Sequence, residues 1–417
     1  MKIVITGGNF INKGAQAMLL ITMSELKTRY PDIEYYYTTR EKMGLHKEYK
    51  FNYMYKWAFI DALGLKSGKL KGFRAFKQMS VEAAKALVLK NPKVMFREFK
   101  YLKQLDDIAC IIDVSGFALA SKFSNRINKG YLELIEYAKG CNIPIILMPQ
   151  SFGPFDYKEN KDAMVARISK ALEYPSLIFA REQEGYDLLA RQLGIRNVHL
   201  SDDLVLQNEK VNWDLLADTD ALNRDVYKIT TKNNVAIVPN MKIMGNAPDV
   251  ESVYNVYKAI INQWLKFNRN VYLVWHSDED LDICRRIKGM FKDEEQVVLI
   301  DRELACYDYE KVVTSFDYIF ASRFHSIVLA YRQGVPAVGL GWAIKYQNLF
   351  SSCNQDEYIT NVADVKDIDS ILKKVEKMEN NYKAESSKIK AGLAQIRKDN
   401  CFDTLFETLD KIIKDYE

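Results

Sequence analysis

The chain has 417 residues, of which 48 % are hydrophobic and 27 % charged, a balance that excludes a disordered protein and suits two or three domains with cores of their own. The formal charge of +4 is unevenly spread: residues 40–104 hold sixteen Lys and Arg against five Asp and Glu, which leaves the rest net acidic. The six cysteines form no C-x-x-C pair, no apolar run approaches the roughly 20 residues of a spanning helix, and no apolar leader follows Met1-Lys2, so reduced thiols and a cytoplasmic location are the expectation.

Lys2–Thr6 reads as a buried strand ending in Gly7-Gly8-Asn9. A helix over Ala15–Arg29 and a strand over Ile33–Tyr37 complete a β-α-β opening. The pattern then breaks over 40–104, whose second half, Val81–Tyr101, has helical spacing. Alternation resumes with strands at Ile108–Asp113, Ile143–Met148, Leu177–Ala180 and Val198–Leu200, and with helices at Lys129–Lys139, Lys161–Leu172 and Glu182–Leu193. After a polar stretch, strands recur at Val235–Val238, Val271–Trp275, Val297–Ile300, Tyr318–Phe320 and Ala337–Leu340, with helices between them. A charged helical tail closes the chain. Strands alternating with helices predict α/β architecture: two doubly wound parallel-sheet domains facing a cleft. The domains expected are 1–206, carrying the basic insertion 40–104, then 207–375, then a helical tail over 376–417.

The chemistry concentrates at strand ends, where open α/β sheets bind ligands. Arg323 and His325 follow one strand of the second domain, and Lys345 follows the next. A helix beginning near Ser326 would aim backbone N–H groups at the same spot, so these residues describe a receptor for an anion, with phosphate the leading candidate. The alternative is an arginine capping a core strand beside a satisfied histidine. The first loop fails the G-x-G-x-x-G test and lacks the acidic residue at the end of the second strand; it is not a P-loop either. Asn12 and Gly14 remain there as candidates for an anion or sugar, with a tight turn as the alternative. Ser115 and Gly116 end one strand, and Gln150 and Ser151 lie in a Pro- and Gly-stiffened loop after the next. Arg181 stands at a strand end, free to meet an anion or to pair with the acidic residues behind it. Asp202-Asp203 lacks a third ligand at usable spacing, so no metal is expected. His276 could line the cleft, or belong to a turn capped by Ser277 or Asp278.

Together, Asn12-Lys13-Gly14-Ala15-Gln16-Ala17, Ser151-Phe152-Gly153-Pro154-Phe155, Ala180-Arg181-Glu182, Asp202-Asp203 and Ser322-Arg323-Phe324-His325 with Lys345 resemble the polysaccharide pyruvyl transferase family. The resemblance spans about residues 2–350. One departure is Ser115-Gly116-Phe117-Ala118, where the family often has a run of glycines; it bears on the acceptor. The resemblance implies a GT-B-like fold and phosphoenolpyruvate as co-substrate, with no other cofactor. Pyruvate would be placed on two hydroxyls of one sugar of a cell-surface glycan or its lipid-linked precursor, as a cyclic ketal, with release of phosphate. Arg323, Arg181, Lys345 and Ser326 would hold the donor, and His325 would supply a proton with Arg323 beside it. Asn12, Gly14, Ser115, Gly116, Gln150, Ser151 and His276 would face the acceptor or the cleft. A nucleotide-sugar glycosyltransferase and a non-catalytic glycan- or lipid-binding module are the other classes compatible with this architecture. The basic segment also holds eleven aromatics, a composition that suits nucleic acid, an anionic membrane surface or a solvated insertion. The resemblance favours the inner face of a membrane over nucleic acid.

Overall fold

The computed structural model describes residues 1–39, 49–69, 102–224 and 226–417. It contains two parallel sheets. The first comprises β1 (Lys2–Thr6), β2 (Glu34–Thr39), β3 (Asn52–Tyr55), β4 (Ile108–Asp113), β5 (Phe117–Leu119), β6 (Ile145–Phe152), β7 (Leu177–Ala180) and β8 (Val198–Leu200). Their order is β3-β2-β1-β4-β6-β7-β8, with β5 paired to the end of β6. The second comprises β9 (Asn234–Val238), β10 (Asn270–Leu273), β11 (Val297–Leu299), β12 (Tyr318–Ala321), β13 (Ala337–Gly341) and β14 (Ile359–Asn361), in the order β11-β10-β9-β12-β13-β14. Each sheet reverses its winding once, between β1 and β4 and between β9 and β12. Such switch points leave a crevice at the strands' carboxyl ends.

Alternation along the first sheet sorts side chains to two cores. Ile3, Ile5, Cys110 and Ile112 point to one face; Val4 and Ile111 point to the other. Both faces are covered, so the strands read as continuous apolar runs. The helix Lys13–Arg29 is buried nearly all round, because it lies between the first sheet and the second half of the molecule. Its start is set by Asn12, whose Oδ1 accepts from Gly14 N at 2.9 Å and Ala15 N at 3.3 Å.

Six elements differ from the sequence reading. β3 and the helix Lys56–Lys66 extend the first sheet inside the basic stretch, where the pattern was expected to break. β5 and β14 are three-residue strands, too short to carry a period. β6 continues to Phe152, so Gln150 and Ser151 belong to a buried strand rather than a loop. The helix after β12 starts at Phe324, with Arg323 at its N-cap, and Ser326 is already inside it.

Residues 40–48 and 70–101, including the helix expected over Val81–Tyr101, lie outside the described residues. Of the cations in the described part, Lys66 pairs with Asp106 and Lys69 Nζ donates to Glu136 O at 2.8 Å. Among the described residues no helix is long and apolar enough to cross a membrane.

The tail is built into both halves. The helix Ile368–Ile396 packs on the second sheet's layer through Val375 and Met378. The helix Cys401–Tyr416 then returns to the first sheet, burying Phe402, Leu405 and Leu409 against the layer of β4 and β7. Tyr30 Oη donates to Asp410 Oδ1 at 2.7 Å on its flank. Leu405 is fully buried, so Leu405→Ala should cost about 2–5 kcal/mol from lost transfer energy and residual cavity. Urea denaturation followed by circular dichroism measures it; a change below about 1 kcal/mol would show that the returning helix is dispensable to the first domain.

Candidate active site

The two switch points face each other and enclose a cavity of about 480 Å³. The first domain lines it with Gly7, Asn12, Ser115, Gly116, Lys122 and Arg181. The second contributes Lys242, His276, Arg323, His325, Trp342 and Lys345. Five cations and two imidazoles thus converge, and no Asp or Glu is among the described residues that line the cavity.

Two of the cations are neutralised from behind. Arg181 Nη1 donates to Asp203 Oδ2 at 2.7 Å, its Nε to Glu182 Oε1 at 3.2 Å and its Nη2 to Ser151 Oγ at 2.7 Å. Its guanidinium lies 4.9 Å from the centre of the Phe324 ring. Arg323 Nε and Nη2 each donate at 2.7 Å to the two oxygens of Asp280, which is fully buried, and Nη2 also reaches Glu279. Burial pushes the Asp280 carboxyl up, against the pull of Arg323. Both arginines therefore act as fixed structure as much as free receptors.

The lysines differ. Lys122, Lys242 and Lys345 have no carboxylate within ion-pair distance among the described residues. Lys345 lies against aromatics, 4.7 Å from the Phe324 centroid, and Lys122 lies 4.0 Å from that of Phe117. Burial first, then Arg181 and Lys122, bring the Lys345 ammonium down to about 7. Lys122 and Lys242 are exposed and Lys345 is half-buried, and an anion in the cavity would give them the partner they lack.

His325 sits at the centre. Its ring packs against Gly14, where an added Cβ would lie 2.1 Å from Cγ. Only a residue without a side chain lets the first helix approach this imidazole so closely. Asp203 Oδ2 stands 4.0 Å from His325 Nε2, too far for a hydrogen bond. Desolvation brings the imidazole down to about 3, with Asp203 opposing and Arg181, Lys345 and Arg323 adding to the fall. It is neutral at pH 7 in the free protein, unlike the proton-holding imidazole that the resemblance implied. His276 Nδ1 is 2.8 Å from Ser326 Oγ, and burial and the nearby cations keep this ring neutral as well. Three buried ring nitrogens in cavity-lining residues have no hydrogen-bond partner among the described residues: His325 Nε2, His276 Nε2 and Trp342 Nε1. Unpaired buried polar atoms are rare in proteins, and these three share one chamber.

Of the residues named from sequence, Asn12, Gly116, Ser115, Arg181, His276, Arg323, His325 and Lys345 line this cavity, and Gly14 supports it. Ser326 is turned away onto His276. Gln150 is fully buried, within reach of Tyr131 and Asp113, and is not among the lining residues. Ser151 is bound between Arg181 and Glu182 and borders a neighbouring cavity. Sequence reasoning missed Lys122, Lys242 and Trp342. Each lies within a few residues of a strand's end, the one signal that could have found them.

Two parallel sheets with facing switch points and a cleft between them make a GT-B fold. Three solved structures share the fold across the whole chain. UDP-GlcNAc 2-epimerase from Neisseria meningitidis, bound to UDP-GlcNAc, has a TM-score of 0.55 at 12 % identity, covering 99 % of this chain and 100 % of its own. MnaA of S. aureus with UDP has a TM-score of 0.54 at 10 % identity, covering 92 % and 90 %. The UDP-forming trehalose-phosphate synthase from Burkholderia vietnamiensis has a TM-score of 0.53 at 11 % identity, covering 98 % of each chain. No curated protein matches in sequence. The family model of polysaccharide pyruvyl transferases matches residues 12–343, and the chain belongs to that family.

Two outcomes follow from the site's geometry. Gly14→Ala should displace the His325 ring while leaving the fold intact, read as a shifted His325 Hε1 resonance with unchanged far-ultraviolet circular dichroism; an unmoved resonance would mean that the helix yields instead. Sulfate, whose charge is constant from about pH 6 to about pH 8.5, should stabilise the protein less as pH rises, because Lys345 loses its proton through about 7. Thermal shifts of wild type against Lys345→Met at equal sulfate isolate this contribution. Equal pH dependence in both proteins would remove Lys345 from the anion site.

Proposed function

We propose that this protein transfers pyruvate from phosphoenolpyruvate to two hydroxyls of one sugar, in a cell-surface glycan or its lipid-linked precursor, as a cyclic ketal. The observation that carries the reading beyond family membership is the cavity, with three lysines lacking carboxylate partners and three unpaired ring nitrogens among the described residues. Phosphoenolpyruvate brings a phosphate and a carboxylate, and these lysines are the adaptable charges for them. Arg181 and Arg323, neutralised by their carboxylates, hold the walls in place around them.

A neutral His325 suits the proton balance. As the first hydroxyl oxygen bonds to C2 of the donor, its proton passes to the imidazole and then to the methylene carbon, which becomes the methyl group. The second hydroxyl then displaces phosphate at C2, and its proton leaves with the hydrogen phosphate. Each hydroxyl proton is accounted for, and one residue serves as base and then acid. The donor, its carboxylate and phosphate both ionised, raises the imidazole's proton affinity while bound, which favours that shuttle. The peripheral membrane role proposed for 40–104 would bring lipid-linked acceptors to the cleft.

The test is the by-product. Labelled phosphoenolpyruvate and a panel of glycan acceptors should yield labelled product and inorganic phosphate. His325→Ala should lower turnover about 10²–10⁴-fold, and Lys345→Met should mainly raise the donor's KM. Release of nucleoside diphosphate from a nucleotide sugar, with phosphoenolpyruvate inert, would instead favour the glycosyltransferase reading. Undiminished turnover in His325→Ala would remove the shuttle.

A further inference from the structure

A second cavity of about 480 Å³ opens beside the first, also between the two halves. Phe117, Lys122 and Lys345 line both, so the chambers share a wall. Apart from those two lysines their chemistry differs, because among the described residues only the second carries carboxylates. The second is bordered by three carboxylates, Asp156, Glu182 and Glu184, and by the rings of Phe152 and Phe155. Its volume falls within the roughly 300–1,000 Å³ typical of small-molecule sites.

Glu182 is the informative residue. It is only 9 % exposed. Its Oε1 accepts from Ser151 Oγ at 2.7 Å and Arg181 Nε at 3.2 Å, while no hydrogen bond reaches Oε2 among the described residues. One oxygen is anchored and the other is left to a donor from the chamber. Glu184 is reached from the opposite domain by Asn348 Nδ2 at 3.3 Å, so the carboxylates sit where the halves meet.

We propose that this second chamber is the acceptor site, and that it takes a neutral or amino sugar and disfavours a uronic acid. The inference rests on the pyruvyl-transfer reading for its role, but its chemistry is independent of the donor. Sugar rings present C–H faces that lie on aromatic rings, and hydroxyls that donate to carboxylates. A carboxylate on the sugar would meet Glu182, Glu184 and Asp156 at close range, a like-charge encounter in a partly desolvated site. The shared wall sets the direction of transfer: an anionic donor on the cationic side and a polyol on the acidic side meet at Phe117, Lys122 and Lys345.

Saturation-transfer NMR with methyl β-galactopyranoside, methyl β-glucopyranoside and methyl β-glucuronide tests this on the full chain. Wild type should give ring-proton signals with the two neutral glycosides, and at least fivefold weaker ones with the glucuronide. Leu188→Trp, which narrows the chamber from its wall, and Glu184→Gln should each reduce the neutral signals severalfold. Both variants should keep the wild-type melting shift on addition of phosphoenolpyruvate, which also shows them folded. No signal from any glycoside, equal signals from the glucuronide, or neutral signals that survive Leu188→Trp would overturn the assignment. Failure of phosphoenolpyruvate to stabilise the wild type would instead sink the donor reading, and the sugar site would stand or fall on its own signals.

Discussion

Each wall of the cleft is built on an arginine clamped by carboxylates at the end of an interior strand. Arg181 follows β7 and is held by Asp203 and Glu182; Arg323 follows β12 and is held by Asp280 and Glu279. The rest of the site depends on these two clamps. A buried guanidinium with one partner removed carries a penalty of about 3–5 kcal/mol, so the clamps fix their loops in place. Asp280 also accepts from Met241 N at 2.8 Å and from Ser277 N at 3.1 Å, tying the loops after β9, β10 and β12 together. Rigid, neutralised walls leave the lysines between them as the charges that respond to a ligand.

The same arrangement explains two of the perturbations in the cleft. His325 and Lys345 are both basic groups in a partly desolvated chamber where several cations converge, so both lose affinity for protons. The contact between Gly14 and His325 makes the effect a property of the assembled halves: the helix that desolvates the imidazole belongs to the first domain, and the imidazole to the second. A sequence such as Arg-Phe-His carries no trace of this, because an isolated histidine of that kind titrates near 6.5.

Much of the fold was legible because parallel strands buried on both faces are continuous apolar runs. β1, β4, α/β alternation after residue 108 and the strand pair around Arg323 all announced themselves this way. β3 did not, since Asn52-Tyr53-Met54-Tyr55 is an edge strand inside a basic, aromatic stretch. β5 and β14, at three residues, offer no period to detect. Within the site, Arg181, Arg323, His325 and Lys345 were legible from their places at strand ends. What neutralises the arginines was only partly so: Glu182 and Asp203 were in view, but Asp280 stands 43 residues before the arginine it holds. Lys122 depends on β5 for its position, and so went unseen with it.

The returning helix Cys401–Tyr416 has a consequence for how the protein is made. The face of the first sheet around Cys110, Ile112 and Phe179 is covered partly by residues synthesised more than 200 positions later, Phe402, Leu405 and Leu409 among them. At translation rates of about 5–20 residues per second, that gap lasts on the order of 10–40 s. During that interval the nascent first half carries an uncovered apolar strip on an otherwise folded sheet. Exposed apolar surface of this kind favours aggregation, and the emergence of the helix Cys401–Tyr416 is what covers it.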